Sequence, residues 1–548
     1  MPRLFRQAGP RWADGAVIYQ IYPRSYQDAN GDGIGDLPGI TQRLDYLQEL
    51  GVTGVWLSPF YPSPMADFGY DVSDYCDVDP VFGTLDDFKD LLKEAHKRDI
   101  KIIIDIVPNH SSDEHQWFKA SRQSRDNKYS DWYVWKDPAG WEGTKPLPPN
   151  NWLSIFTGQS AWEWVPARQQ FYLHTFGVRQ PELNWQNAAV RKAMKNVLRF
   201  WLDLDVDGFR VDAVPFMGKD PDFSDNPLNP DYKEGEHSLY DSLLHINSQH
   251  WPQHYEYLQQ MASVLKERRY KRQPRFMVTE GYTARQDIVE EYLRYYRGMD
   301  PKVAAPFIFE GIILPWEAQQ WRHFLDRFHT ALNNFSPVAV ASYAFGNHDQ
   351  PRLVSRLGEA QARAAAVLKL TLPGMIFVYY GEDLGMHDVD IPADKVQDPA
   401  AADRFTRDAV RTPMQWSAGV NADFSTAKET WLPLANDFKE HNVEAEKQDE
   451  ASFLNLYQTL IHLRRESSAI GRGSIELADV TDPHLLAFMR KHGKDVYTIV
   501  VNFRNRSADY NFERPGHIVV SSVSGKPNHK IERHSLRLKP HEAVVIKH

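Results

Sequence analysis

The chain carries a single cysteine. Cys76 is the only thiol among 548 residues, which excludes an intramolecular disulfide and every cysteine-based metal site. With no partner thiol and no histidine motif beside it, Cys76 is expected to be inert. Long apolar runs are also missing: nothing approaches eighteen continuous apolar residues, so no membrane-spanning helix is expected. The opening MPRLFRQAGPRW lacks the apolar centre of a signal peptide, which points to the cytoplasm. Positive charge is outnumbered, with 63 Lys and Arg against 73 Asp and Glu, a net −10. No basic run suits a phosphate backbone, so nucleic acid is excluded as a partner. Internal repeats and low-complexity segments are absent as well. What remains is ordinary globular content, 42% hydrophobic and 25% charged, which excludes a largely disordered chain. Aromatics reach 13%, with 16 Trp and 25 Tyr. Rings in that number suit stacking on flat ligands such as sugars, and they also fill large cores. The length exceeds one compact core, so about two to four domains are expected.

Short apolar runs recur, each followed by a helix-like segment. They are VIYQIYP (17–23), GVWLSP (54–59), KIIIDIVPNH (101–110), GFRVDAV (208–214), FMVTEG (276–281), PFIFEG (306–311), VAVASYAFGNHD (338–349) and MIFVYYGEDLG (375–385). Continuous Val, Ile and Phe without alternation mark strands buried on both faces. Helical patterns fill the gaps, as in LDDFKDLLKEAHKR (85–98) and AAVRKAMKNVLRFWLDL (188–204). Eight such units predict a parallel (β/α)8 barrel with its chemistry at the C-terminal strand ends. The barrel is expected over 1–109 and 177–470, with an irregular part at about 386–450 before a helix at 452–467. The stretch 110–176, rich in Trp, Asn and Pro, is too long for a barrel loop and reads as an inserted domain. From 471 to 548 short alternating strands predict a C-terminal antiparallel β-sandwich.

Near the start stands DANGDGIGD, Asp28 to Asp36. Oxygen-bearing side chains at Asp28, Asn30, Asp32 and Asp36 alternate with glycines, which suits a loop curling around a hard cation. The bidentate Glu that closes such loops is missing; its place is taken by Gly39. Asn-Gly and Asp-Gly also mark plain turns, so an ion site and a turn cluster both remain open on these residues alone.

Three carboxylates stand at separate strand ends: Asp212 with Arg210 two residues before it, Glu280, and Asp349 after His348. Salt bridges lining the barrel mouth would be the structural explanation. Glycosidic bond cleavage is the chemical one, since it needs a nucleophile and a proton donor around an oxocarbenium-like transition state. Arg210 points to the same barrel face as Asp212 and would keep it ionised as a nucleophile. Glu280 has no basic neighbour in sequence, as suits an acid with a raised pKa. Asp349 would hold sugar hydroxyls and favour developing positive charge.

Four signatures in order, DIVPNH (105–110), GFRVDAV, VTEG (278–281) and FGNHD (345–349), resemble those of the α-amylase superfamily of glycoside hydrolases. AVIYQIYPRSYQDANGDGIGDLPGI, SPMADFGYDVSDY and RTPMQW are similar to its α-glucosidase and oligo-1,6-glucosidase branch, and the match spans almost the whole chain. The resemblance implies Asp212 as nucleophile, Glu280 as acid/base and Asp349 as transition-state stabiliser. It implies that His110, Arg210 and His348 surround the terminal glucose, with Asp67, Tyr70 and Arg411 as the pocket floor. An Asp–Arg pair gripping the far hydroxyls would make the enzyme exo-acting. Phe156 and Phe176 would stack at the rim, unless they serve the core. Ala213, the residue after the nucleophile, stands where the branch has Val in 1,6-specific members. This implies a preference for maltose-type substrates or sucrose over isomaltose. The resemblance also turns the DANGDGIGD loop into a structural Ca²⁺ or Mg²⁺ site, with the Ile34 carbonyl joining the four side chains, and implies no organic cofactor. Short oligosaccharides are the expected partners, with no nucleic acid and no membrane. A glucosyltransferase or a sucrose or trehalose isomerase would use the same residues. A non-catalytic subunit of the same fold would lack the acids, and a phospho-sugar hydrolase would need a basic cluster that is not seen.

Overall fold

Each of the eight apolar runs contributes a strand, and together they close one parallel barrel. In this computed structural model they are β1 Val17–Ile21, β2 Gly54–Leu57, β3 Lys101–Ile106, β4 Gly208–Val211, β5 Phe276–Thr279, β6 Ala304–Ile308, β7 Ser342–Ala344 and β8 Met375–Tyr379. The structure describes residues 12–281, 287–399, 406–512, 514–524, 529–531 and 535–548. β8 pairs back onto β1, with Val17 beside Ile376, so the sheet has no edge. The strands are buried throughout because helices cover their outer faces and side chains fill the inside. Helix Leu85–Lys97 opens on a capping box between Thr84 and Asp87 and buries Phe88, Leu91, Leu92 and Ala95 at helical spacing. Helix Ala188–Asp203 is capped by Asn187 and buries Val190, Met194, Val197, Leu198 and Trp201.

Between β3 and β4 the rhythm breaks into a small antiparallel sheet, Trp135–Lys136, Gln170–Leu173 and Trp162–Val165, with a hairpin Gly140–Glu142 and Lys145–Leu147. It has its own apolar centre around Trp152, Trp162, Phe171 and Leu173. After β8 the chain runs through short turns and the helix Val443–Gln448 to helix Phe453–Glu466.

At the C-terminus a six-stranded sheet faces a two-stranded one, so the sandwich has two unequal layers. Alternation sorts its side chains. Leu486, Phe488, Ile499, Val501 and Val545 join the barrel's apolar core. Their neighbours Leu485, Ala487, Val500, Val544 and Ile546 pack on Tyr510 and Leu538 of the two-stranded layer. Two fully buried arginines fasten the junction. Arg464 donates to the carbonyls of Leu370, Leu372 and Gly374, and Arg490 to those of Thr371 and Gly473. Helix Glu359–Thr371 ends at this place, and its last carbonyls would otherwise lack partners.

No helix among the described residues is long and apolar enough to cross a membrane. Cys76 is half-buried, and burial together with Asp74 and Asp77 pushes its thiol up to about 11.

Candidate active site

The polar residues at the C-terminal strand ends converge on one pocket of about 460 Å³. Asp212 directly follows β4 and Glu280 directly follows β5. Register brings them together: Thr279 pairs with Val211, so the next residue on each strand is the other's neighbour. Asp349 arrives from the loop after β7, His110 from the loop after β3, and Asp67 and Tyr70 from the loop after β2. All of these line the pocket, as do Phe156, Phe176 and Ala213. A larger cleft of about 700 Å³ lies between helix Phe453–Glu466 and the strand Gly516–Ser521, with Glu466 as its one carboxylate. Size alone therefore does not locate the chemistry.

Arg210 stands beneath the pocket, 1% exposed, and binds three carboxylates at once. Its Nη1 is 2.6 Å from Asp212 and 2.9 Å from Asp105, and its Nη2 is 2.7 Å from Glu280. Glu280, which showed no basic neighbour in sequence, thus has one in space, and Arg210 is not reserved for Asp212. Asp105 on β3 also accepts from Trp56 Nε1 at 3.2 Å and Tyr70 OH at 3.1 Å. Burial pushes Asp105 up to about 6 against the pull of Arg210. Burial likewise raises Asp212 well above the usual carboxylate range, with Glu280 and Asp105 adding to the rise and Arg210 opposing it. Asp212 and Glu280 are held side by side on the two terminal nitrogens of Arg210.

Asp349 behaves in the opposite way. Burial alone would raise it, but His348 and the guanidiniums of Arg407 and Arg411 outweigh that and hold it well below the usual range. His348 is sandwiched between Tyr70, stacked at 5.3 Å, and Tyr22 at 5.8 Å, and its Nδ1 meets Gln20 at 2.9 Å. Burial lowers His348 to about 3 and His110 to about 4, so both are neutral near pH 7.

The pocket floor differs from expectation in one residue. Arg411 is fully buried behind Asp349, with Nη2 2.8 Å from its carboxylate and Nε donating to the His348 carbonyl at 2.9 Å. The guanidinium that faces Asp67 is Arg407: Nη2 is 2.8 Å from Asp67 and 2.6 Å from Asp398, and Nη1 is 3.3 Å from Asp349. Gln180 completes the floor, donating to Asp67 at 3.0 Å. Sequence reading missed Arg407 because FTRDAVRTPMQW carries two arginines four apart, and nothing in the segment marks which of them faces the pocket.

The opposite wall is aromatic. Arg407 sits 5.2 Å over Phe156, Phe156 meets Phe176 edge-on at 5.7 Å, and Phe176 meets Phe216 at 5.2 Å. Phe216, Tyr240, Gln249 and Gln350 also line the pocket and lay in loops with no pattern to single them out. Ala213 adopts a left-handed conformation, φ 49°, and its amide reaches Glu280 at 3.3 Å. The chain thereby turns sharply out of β4 at the nucleophile position.

This constellation on the C-terminal face of a barrel is matched by known proteins. Residues 20–473 match the family described as alpha amylase, catalytic domain. The chain belongs to the alpha-amylase family. Maltase 1 of Drosophila virilis is 40% identical over 559 residues, covering 98% of this chain and 86% of its own. Oligo-1,6-glucosidase of Parageobacillus thermoglucosidasius is 36% identical over 581 residues, covering 98% and 99%. Among solved structures, the alpha-glucosyl transfer enzyme XgtA superposes with a TM-score of 0.88 at 37% identity, covering 98% and 99% of the two chains. An inactive double mutant of MutB in complex with isomaltulose gives 0.84 at 32%, covering 99% and 100%.

In this alpha-amylase family enzyme the loop 28–36 is built of successive turns closed by its own side chains. Asp28 accepts from the amides of Gly31 at 2.7 Å and Gly33 at 2.8 Å, Asn30 from Asp32, Asp32 from Ile34, and Asp36 from Ala29 and Gly39. Gly31 and Gly33 take φ of 82° and 91°, which glycine adopts without strain. The donors are all oxygen, which fits a hard cation in kind. Among the described residues no group of three or more His, Cys, Asp or Glu side chains is placed to hold a metal ion. An ion here would therefore depend on Asn30 and the Ile34 carbonyl as well as the aspartates.

Proposed function

We propose that the protein is a retaining, exo-acting α-glucosidase. It releases terminal non-reducing α-linked glucose from short oligosaccharides, with maltose-type 1,4 linkages or sucrose preferred over isomaltose. The closed end, Asp67 with Arg407, grips the far hydroxyls of one glucose ring and leaves no room for a further sugar beyond it. C1 then lies over Asp212. Glu280 gives its proton to the glycosidic oxygen as Asp212, in the ionised form that its ion pair with Arg210 favours against burial, attacks C1, forming a glucosyl ester and freeing the leaving alcohol. Asp349, kept ionised by its arginines, favours the positive charge that develops on the ring. Water next enters on the leaving-group side, Glu280 takes its proton, and the ester is cleaved with the α-configuration kept.

The observation that supports retention is that one guanidinium holds both carboxyls. Arg210 Nη1 is 2.6 Å from Asp212 and Nη2 is 2.7 Å from Glu280, which keeps the two carboxyls close together. Inverting enzymes hold a water between acid and base, which needs about 6.5–9.5 Å between carboxyls, whereas retaining ones need about 5 Å. Proton NMR of the first product should show α-glucose before mutarotation, and initial β-glucose would refute the mechanism. A second reading, glucosyl transfer or isomerisation, uses the same ester and is favoured by the likeness to XgtA and to MutB bound to isomaltulose. Product analysis on sucrose separates them: free glucose and fructose mark hydrolysis, and a rearranged disaccharide marks isomerisation.

A further inference from the structure

One buried ion pair outside the described chemistry ties together two segments that form the pocket's aromatic wall. Glu182 is fully buried where the inserted domain returns to the barrel, and it is bridged through its backbone to His110. Its Oε1 accepts from the Thr175 amide at 3.0 Å, next to Phe176. Its other oxygen meets Lys219 Nζ, and Lys219, 9% exposed, also donates to the carbonyl of Phe216. One carboxylate and one ammonium thus hold the backbone beside each of two rings, Phe176 and Phe216, that touch at 5.2 Å. The Phe216 end lies on the turn Val214–Met217, which starts at Ala213, so it borders the leaving-group side. The glucose-gripping floor is elsewhere, at Asp67 and Arg407.

From this geometry we propose that the Glu182–Lys219 pair is a positioning element that sets the gap of the aromatic wall, and with it the fit of the leaving group or acceptor. The inference rests on the α-glucosidase reading above. A buried ion pair is often no more stabilising than apolar residues of the same size, so a role in fixing positions accounts for its presence better than stability does. Losing the pair releases the Phe216 carbonyl from Lys219, while Asp67, Arg407 and Arg210 keep their own ion pairs.

The test uses Lys219→Met in the full-length enzyme, with maltose as substrate and a glucose-shaped iminosugar as inhibitor. The variant should raise KM for maltose by about tenfold, the scale of an altered apolar contact. Its kcat should stay within about threefold, and the inhibitor constant should be unchanged because Asp67, Arg407 and the carboxylates that grip that ligand are held by other ion pairs. An inhibitor constant that rises with KM, or a KM that does not move, overturns the proposal. If Lys219→Met does not fold, Lys219→Gln keeps a donor for Phe216 and carries the same test, with a smaller rise in KM expected and an unchanged KM overturning it. Failure of the functional reading would look different: the wild-type enzyme would release glucose from no α-glucoside.

Discussion

Exchanging Arg407 for lysine puts the closed end of the pocket to the test. Arg407 reaches Asp67 and Asp398 from Nη2 and Asp349 from Nη1 of one planar fork. Lysine keeps the charge but presents a single point of attachment, so it cannot hold Asp67 and Asp398 while also meeting a sugar hydroxyl. Losing one charge-assisted hydrogen bond costs about 1.5–3 kcal/mol, which corresponds to about a ten- to hundredfold fall in kcat/KM. The loss should appear in glucose binding itself, read as the product-inhibition constant. Arg411→Lys is the companion variant. Arg411 is 0% exposed and touches the His348 carbonyl and the rear of Asp349, so that variant should lower the melting temperature and change glucose affinity little. Wild-type glucose affinity in Arg407→Lys, or a larger loss in Arg411→Lys, would refute the assignment of the floor.

Ala213→Val should shift the kcat/KM ratio toward isomaltose by a factor matching about 1–3 kcal/mol, and an unchanged ratio would remove Ala213 from linkage choice. Because Ala213 sits at φ 49°, a branched side chain there also adds backbone strain of about 1–2 kcal/mol, so the ratio and not the absolute rate is the readout. If the 28–36 loop binds Ca²⁺ or Mg²⁺, chelator should lower the melting temperature by mass action, and Asp32→Ala should abolish the chelator's effect. Metal analysis of the purified protein finding no divalent ion would end that proposal. Burial raises Glu446 to about 8, with its Oε2 still accepting from the Leu454 amide at 3.0 Å. A folded-state pKa above the unfolded one means stability is full below about pH 4.5 and is lost as pH rises toward 8, by about 1.4 kcal/mol per unit. Glu446→Gln lacks this term, so its melting temperature relative to wild type should climb between pH 5.5 and 7.5, and a flat or falling difference would be decisive against it.

The barrel was readable because strands covered on both faces are mostly apolar, and all eight runs were of that kind, with a few polar residues such as Asp105 and Arg210 among them. The carboxylates were readable because each sits at a run's end, where a polar residue has no core to enter. Contacts between strands were not. Nothing in the order of residues shows that Val278 lies beside Arg210, yet that pairing delivers Arg210 to Glu280 and changes the electrostatics of the site. Arg407 and Arg411 were indistinguishable for a related reason, since which side of a short turn faces the pocket is settled by the packing around it. Phe216 and Tyr240 belong to loops, where an aromatic side chain carries no periodic signal. The positive φ of Ala213 leaves no mark in composition either, alanine being an unusual choice for it.

The two buried arginines at the barrel's junction bear on how a ribosome delivers this protein. The carbonyls of residues 370 to 374 wait for donors that lie 90 to 119 positions further along the chain. β8 is therefore synthesised well before the groups that satisfy the segment leading into it. Until Arg490 has emerged, a nascent barrel would hold the Thr371 carbonyl bare where its last helix meets its last strand, an arrangement that buried backbone does not tolerate. Closure of the catalytic barrel is thus tied to translation of the C-terminal sheet. A chain released at residue 473, where the catalytic-domain match stops, should carry every active-site residue and still fail to complete its fold.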